Sequence, residues 1–343
     1  MPSHNSSGQP PFIPVSLPFC PNILIGKQGS GQPSGYAGVQ FVSGDNGSDA
    51  FDGLTVNTPL KNLDTAYNRC SGGYNEVICV LGGTSSVNFS SAIASGGAGL
   101  VWSKNYTHCV GLTAPLALGQ RARITGGAST NLFTPLIQVS GIGCHFENLE
   151  IANVGSDASK AAVALAVTGV RNVFKNCQIS GGFTSTTAVA AMRSLILGGI
   201  TNGTFTTAAD ENYFQHCYIG LDTISRSSTS AEIEIGGGSA RVIFEDCTIS
   251  TYGAGGNFFL KVGASGIDRF LKFIRCDFIN AYTFSGGTIL TDAFSMNAAP
   301  GGVVLMRSCA VVGATALGSS DTAIFTADAI ASVSGSKAIA TTW

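Results

Sequence analysis

The chain has 343 residues, of which 44% are hydrophobic and 11% are charged, and its formal net charge at pH 7 is −2. The hydrophobic content is sufficient for a large apolar core, and the net charge indicates no basic surface for nucleic acid. No apolar run reaches the roughly 18 residues needed to cross a membrane. The first residues lack the cationic start and apolar core of a signal peptide, so we expect the chain to stay in the compartment that makes it.

Composition divides the chain into four segments: an extended Pro/Gly-rich arm (1–38), a strand with a capping helix (39–76), a repeat region (77–312) and a C-terminal cap or tail (313–343). Large apolar residues alternate with prolines in the arm, which can therefore form neither a helix nor a core. We expect the arm to dock on a partner surface, and a disordered tail is the alternative. The docking residues would be Phe12, Ile13, Val15, Leu17 and Phe19.

The second segment predicts a cap for the repeat region. Val39–Val42 is a candidate strand, and Thr58 and Pro59 predict the start of an amphipathic helix that continues to about Cys70. Such a helix would cover the open edge of the first repeat. Three nearby carboxylates lack the spacing of an EF-hand calcium loop, so turn and capping roles are favoured over a metal site. They are Asp45, Asp49 and Asp52.

One motif recurs through the third segment: Phe, two residues, Cys or a substitute, one residue, then an aliphatic or aromatic residue. Its copies are Phe146–Ile151, Phe174–Ile179, Phe214–Ile219, Phe244–Ile249, Phe273–Phe278 and, with Met in the first place, Met306–Val311. Repeats of about 28 to 40 residues indicate a solenoid or a propeller, in which each unit buries its apolar face against its neighbours.

The spacing within the motif predicts a bend. Side chains on a strand alternate between its faces, so Phe and Cys three residues apart point inward together only if the backbone turns between them. The residue before the Cys position is often of a type that tolerates positive φ. These corner residues are Asn148, Asn176, His216, Asp246, Arg275 and Ser308.

A further strand-like run precedes each corner. The runs are 136–139, 163–167, 194–197, 231–235, 258–262 and 288–291. Two or three short strands per repeat, with one loop of variable length, predict an all-β parallel β-helix. Helical solenoids require longer runs with helical periodicity, and a β-propeller, the remaining alternative, requires four strands per unit.

The inward positions of the motif predict a structural ladder of aromatic rings and thiols. Its members are Phe174, Cys177, Phe214, Cys217, Phe244, Cys247, Phe273, Cys276 and Cys309. Thiols stacked about 4.8 Å apart in successive coils run parallel to one another, which is poor geometry for disulfides. Because no Cys or His spacing of a metal site occurs either, we expect reduced, buried cysteines.

The sequence GSDAFDGLTVNTPLKNLDTAYNRC, residues 47–70, resembles the first turn and helix of right-handed parallel β-helix proteins. Together with the repeated motif, it makes residues 39–312 similar to the β-helix proteins found in the virions of tailed bacteriophages. The resemblance implies a right-handed parallel β-helix between a short capping helix and extended terminal arms. Such helices serve as tailspikes, polysaccharide lyases or inert structural modules, so the fold alone does not select a function.

Catalysis on polysaccharides would require a pair of carboxylates across a groove. Glu232 and Glu234 are the leading pair, because strand geometry would place both on one outward face, about 6 to 7 Å apart. Motifs resembling those of pectate lyases and polygalacturonases are absent, and His216 is expected to be structural. The remaining acidic candidates are Asp210, Glu211, Asp222, Glu245 and Asp246.

From scarce carboxylates and short terminal segments, we expect a non-enzymatic virion protein that decorates a phage capsid, assembled in the bacterial cytoplasm. Its partner would be the major capsid protein or another virion protein. We expect the chain to form a homo-oligomer, preferably a trimer, and to bind no cofactor, metal, nucleic acid or membrane. The alternative is a tailspike or tail fibre component that binds or depolymerises host polysaccharide.

Overall fold

The computed structural model describes residues 38–94, 97–114, 122–127, 133–155, 162–182, 192–201, 204–226, 229–287, 289–318, 323–327, 329–331 and 338–342. They form a right-handed parallel β-helix, as predicted, in which three parallel sheets run the length of the molecule. The docking residues of the arm lie outside the described residues, so their role stays a prediction. None of the described helices is long and apolar enough to span a membrane.

Each coil passes through sheet 1, sheet 2 and sheet 3 in turn. Sheet 1 has ten described strands: β1 (Val39–Ser43), β2 (Glu76–Leu81), β4 (Thr107–Leu112), β7 (His145–Glu147), β10 (Val173–Lys175), β15 (Tyr213–Gln215), β18 (Val242–Glu245), β21 (Phe270–Ile274), β24 (Val303–Arg307) and β27 (Ile324–Thr326).

Sheet 2 has nine described strands: β5 (Arg123–Ile124), β8 (Glu150–Ala152), β11 (Gln178–Ser180), β16 (Tyr218–Gly220), β19 (Thr248–Thr251), β22 (Asp277–Asn280), β25 (Ala310–Val312), and the final β28 (Ala329–Ala331) and β29 (Ala338–Thr342). Strand β29 pairs antiparallel with β25 and β28, so it covers the edge of the last parallel strand and leaves β28 at the edge of this sheet.

Sheet 3 has eight described strands: β3 (Leu100–Trp102), β6 (Ile137–Val139), β9 (Val163–Val167), β12 (Arg193–Leu197), β17 (Ala231–Ile235), β20 (Phe258–Val262), β23 (Leu290–Met296) and β26 (Ala314–Gly318). A hairpin of β13 (Gly199–Thr201) and β14 (Thr204–Thr207) interrupts one turn between sheet 3 and sheet 1. In the predicted run 288–291 the strand begins at Leu290, and it extends to Met296.

The predicted bend between sheet 1 and sheet 2 is confirmed in all six motif copies. The φ angles are 56° at Asn148, 51° at Asn176, 50° at His216, 54° at Asp246, 50° at Arg275 and 53° at Ser308. Each corner residue occupies the left-handed region, so the Phe or Met two residues before it and the Cys or Leu directly after it both point into the core.

Stacked phenylalanines form the centre of that core. The rings of Phe146, Phe174, Phe214, Phe244 and Phe273 follow one another at centroid distances of 5.0, 4.7, 4.6 and 4.9 Å, with interplanar angles of 20° or less. The stack arises because parallel in-register pairing places each ring directly over that of the previous coil.

The cysteines after the corners form the thiol column. The nine described cysteines are free and buried. Each thiol in the middle of the column donates to the carbonyl oxygen of the Phe position one coil earlier, as Cys217 does to Phe174 at 3.4 Å and Cys247 to Phe214 at 3.5 Å. Burial raises the pKa of the Cys217 thiol well above its ordinary value, so the thiolate does not form near neutral pH.

We expect Cys247→Ser to lower the free energy of unfolding by about 1 to 3 kcal/mol, because the shorter hydroxyl is left poorly paired in an apolar stack. Cys247→Ala is the matched control, since it removes the sulfur without adding a polar group. Urea unfolding measures both variants. A serine variant as stable as the alanine variant would contradict the prediction.

The capping helix begins later than predicted. Helix α1 spans Leu63–Arg69, because Leu60 continues the β structure: its N–H donates to the Phe41 carbonyl and its own carbonyl accepts from Ser43. The side chain of Thr58 binds Asp52 instead of capping the helix. The ammonium of Lys104 closes the other end of α1, donating to the carbonyls of Tyr67 at 2.6 Å and Cys70 at 2.5 Å.

Candidate functional site

Glu232 does not lie on an outward face, which corrects the sequence-based expectation for the leading carboxylate pair. The side chain is 2% exposed, and both it and the next residue, Ile233, are buried at the start of β17. The Ser194 hydroxyl donates to Glu232 Oε2 at 2.6 Å, and Arg226 Nε donates to Glu232 Oε1 at 2.8 Å. Gly220 makes room for the carboxylate, because a Cβ there would lie 2.9 Å from its carboxyl carbon.

Arg226 is buried with Glu232 under the turn between sheet 2 and sheet 3. Its second nitrogen, Nη1, donates to the carbonyl of Gly181 at 2.8 Å and approaches the Met192 sulfur at 3.1 Å. A buried ion pair is tolerated when its remaining donors find partners, and this geometry meets that condition. Glu232 and Arg226 therefore form a structural corner of the β-helix.

Glu234 is on the outer face of sheet 3, as expected, two residues further along β17, and its side chain is 13% exposed. Its carboxylate is paired with Arg193 Nε from the preceding coil and lies 3.2 Å from Lys261 Nζ in the following coil. The Lys261 side chain, 37% exposed, is the most accessible of the three. Because the two glutamates face different environments, they do not form the carboxylate pair of a glycosidase groove.

An aromatic column lies in the turns that lead from sheet 2 into sheet 3, and the first of these turns runs into β20, the strand that carries Lys261. We define it as Tyr252, Tyr282 and Phe284. The rings of Tyr252 and Tyr282 meet at a centroid distance of 4.9 Å and an angle of 60°, and Phe284 is 70% exposed. The backbone N–H of Arg226 donates to the Tyr252 carbonyl at 2.9 Å, so the column continues directly from the buried ion pair.

Buried asparagines hold these turns in place. Asn280 Oδ1 accepts from the Tyr282 N–H at 3.3 Å, while its amide donates to the Gly253 carbonyl at 2.9 Å. In the previous coil Asn257 accepts from the Ser230 N–H and donates to the Ala254 carbonyl. Gly287 lies flat against the Tyr282 ring, where a Cβ would overlap the ring carbons. The aromatic faces are therefore held at fixed positions along the turn.

The remaining acidic candidates are ion-paired or structural. Glu211 lies between Arg171 and Arg241, and hydrogen bonds from both guanidinium groups lower its pKa. Asp210 accepts from the Ala240 N–H at 2.8 Å, and Asp222 is half-buried just before the turn that carries Arg226.

Glu245 and Asp246 share Arg275 at the corner between sheets 1 and 2. Hydrogen bonds from Tyr213 and Arg275 lower the pKa of Glu245, and the hydrogen bond from Arg275 lowers the pKa of Asp246. His216 Nε2 lies 3.4 Å from Asp246 Oδ2. Carboxylates held ionised in this way are unsuited to donate a proton near neutral pH.

The three aspartates near the capping helix accept hydrogen bonds from neighbouring segments of the cap and the first coils. Asp45 accepts from the N–H groups of Thr84 at 2.8 Å and Ser85 at 2.7 Å, and hydrogen bonds from Ser85 and Thr84 lower its pKa. Asp49 and Asp52 accept from other backbone and side-chain donors of the cap. Within the described ranges, no group of three or more His, Cys, Asp or Glu residues is placed to hold a metal ion.

Sequence reasoning missed the aromatic column. The available signal was a tyrosine shortly after the end of two successive sheet 2 strands: Tyr252 follows β19 directly, and Tyr282 comes two residues after β22. Turn lengths vary between coils, which hides the common phase of these residues in the sequence.

Comparison of the sequence with protein-family models and with curated proteins gives no match. Among solved structures, the chain is similar to a rhamnogalacturonan lyase, with a TM-score of 0.55 and 13% identity, covering 79% of this chain and 67% of that one. A mutant pectin methylesterase in complex with a hexasaccharide gives a TM-score of 0.54 and 15% identity over 87% and 91% of the two chains.

Pectate lyase Pel9A gives a TM-score of 0.53 and 12% identity over 79% of this chain, which spans 62% of that protein's length. At these identities the likeness establishes the fold. It also overturns our expectation that the chain is not an enzyme, because the neighbours are lyases and esterases that act on polysaccharides. The absence of pectate lyase and polygalacturonase motifs from this sequence had supported that expectation. The chain thus has the right-handed parallel β-helix fold of these enzymes.

Proposed function

We propose that this protein binds a bacterial surface polysaccharide along the turns between sheet 2 and sheet 3, as a tailspike or tail fibre component of a bacteriophage. The observation that carries the proposal is the aromatic column, in which Tyr252 and Tyr282 are half-buried and packed on each other while Phe284 is 70% exposed. The fold likeness to enzymes of polysaccharides supports the same ligand class.

The chemistry of the surface suits a sugar chain. The C–H faces of pyranose rings pack on aromatic side chains, which offer a large apolar area and, in tyrosine, a hydroxyl at the edge. Lys261 and Glu234 add a donor and acceptors for sugar hydroxyls within one coil of the aromatic turns. Successive coils repeat about every 4.8 Å, so an extended sugar chain that runs along the β-helix axis contacts a new coil about every 4.8 Å.

We expect Tyr252→Ala and Tyr282→Ala each to weaken glycan binding roughly three- to tenfold, the loss of one aromatic contact. Tyr74→Ala is the matched control, since Tyr74 is 43% exposed and precedes β2, far from the column along the chain. Purified protein is screened against capsular and lipopolysaccharide glycans, and the bound glycans are also examined for shortening by mass spectrometry. Binding that survives both substitutions would contradict the proposed surface.

The virion setting is part of the same proposal and rests on the resemblance of residues 47–70 and the repeated motif to phage β-helix proteins. The fold likeness favours the tail position over the capsid decoration that we expected first. Electron microscopy of phage particles labelled with an antibody to this protein tests the assignment. Label on the head and none on the tail would refute the tail position.

A further inference from the structure

An apolar cluster lies on the outer side of sheet 1, at its N-terminal end. Ile78 and Val80 of β2 belong to the interior core, so the alternation of side chains directs Val77 and Cys79 to the opposite face. Strands β1 and β4 add apolar residues to the same face. We call this cluster the outer apolar patch: Val39, Phe41, Val77, Cys79, Val110 and Leu112.

The centre of the patch is sealed from solvent although it points away from the core. Val77 is 0% exposed, and Cys79 and Val110 are each 1% exposed. Further along the outer row that contains Cys79 and Val110, the positions are Glu147, Lys175, Gln215 and Glu245. Across the described part of the chain, the apolar residues packed on this cluster are its own members. Side chains this well buried on an outward face indicate that a further segment covers the patch.

We propose that residues 10–25 of the same chain occupy the outer apolar patch. The described chain begins at Gly38, whose carbonyl accepts from the Val77 N–H at 2.9 Å, and Val39 is itself a member of the patch. The N-terminal segment is thus tethered at the surface that it would cover. The 18 residue-to-residue steps from Cys20 to Gly38, if extended at about 3.1 Å each, reach roughly 55 Å, far beyond three strands about 4.8 Å apart.

The composition of this segment suits binding to an apolar surface. Residues 10–25 read PPFIPVSLPFCPNILI, with no charged side chain to desolvate. The prolines stiffen the segment and prevent its apolar groups from burying one another, so these groups need an external surface. Docking on the protein's own sheet would use the same side chains that we expected to bind a partner, and a partner would then have to displace them.

Two other occupants are distinguishable by experiment. Residues 115–121 follow Leu112 closely and read PLALGQR, and a second copy of the chain could bring its own apolar surface. Cys79 provides the readout, because it is the thiol at the centre of the patch, whereas Cys177 belongs to the interior core. Its labelling rate therefore reports whether the patch is covered.

The test measures maleimide labelling of Cys79 in the full-length protein by peptide mass spectrometry. We expect Leu17→Asp with Phe19→Asp to accelerate labelling of Cys79 at least tenfold, while Cys177 stays protected and shows that the β-helix remains folded. The matched control, Leu116→Asp with Leu118→Asp, should leave the rate unchanged.

Three outcomes would overturn the proposal. Acceleration by the control pair alone assigns the patch to residues 115–121. A labelling rate of Cys79 that rises when the protein without substitutions is diluted assigns the patch to a second copy of the chain. Unchanged protection of Cys79 in the Leu17 and Phe19 variant removes the N-terminal segment from the patch.

Discussion

Replacing Phe214 by alanine should lower the free energy of unfolding by about 3 to 5 kcal/mol, the range for removing a buried aromatic ring. Phe214 is fully buried and lies between Phe174 and Phe244 at 4.7 and 4.6 Å, so its loss opens a cavity in the middle of the stack and removes two ring contacts. The coils above and below cannot close the gap, because their backbones are held by hydrogen bonds on all three sheets.

Chemical unfolding measures this loss, and Phe325→Ala is the matched control. Phe325 is 53% exposed on β27, so its truncation should change the free energy of unfolding by no more than about 0.5 kcal/mol. Equal effects of the two substitutions would show that the phenylalanine stack is not a principal source of stability.

Arg226→Met should destabilise the protein by about 3 to 5 kcal/mol, because it leaves the Glu232 carboxylate buried without its charge partner. The two groups are joined by hydrogen bonds of 2.8 and 3.1 Å and are almost fully buried. Among the described residues, the hydrogen bond from Ser194 is the one that remains on the carboxylate after the substitution. We expect the double variant Arg226→Met with Glu232→Leu to recover part of the loss, since it removes both buried charges.

Arg171→Met is the control for this prediction, because it breaks an ion pair at a comparable distance on the surface. Arg171 Nε lies 2.6 Å from Glu211 Oε2, but both groups are accessible to water, and Glu211 keeps Arg241 as a partner. Exposed pairs contribute about 0 to 1 kcal/mol. Comparable losses in Arg226→Met and Arg171→Met would refute the special role of the buried pair.

The repeated motif made the coils of this protein predictable from the sequence. Phe and Cys at an odd spacing require a bend, and in four of the six repeats that bend is occupied by Asn, Asp or His, the residue types that best tolerate positive φ. These are local properties of a few adjacent residues. They determine the three-sheet coil, the stacked phenylalanines and the column of thiols, because parallel stacking then brings equivalent positions into register.

Only the tertiary structure showed which side chains from neighbouring coils and turns meet and become buried. Glu232 and Glu234 alternate in the sequence like two outward residues, yet Arg226 from the preceding turn, Ser194 and Gly220 turn the first into a buried corner. The aromatic column and the outer apolar patch likewise join residues from separate coils. Turns of variable length set which side chains meet there, so burial and contact at these positions depend on the stacked neighbours and not on the local sequence.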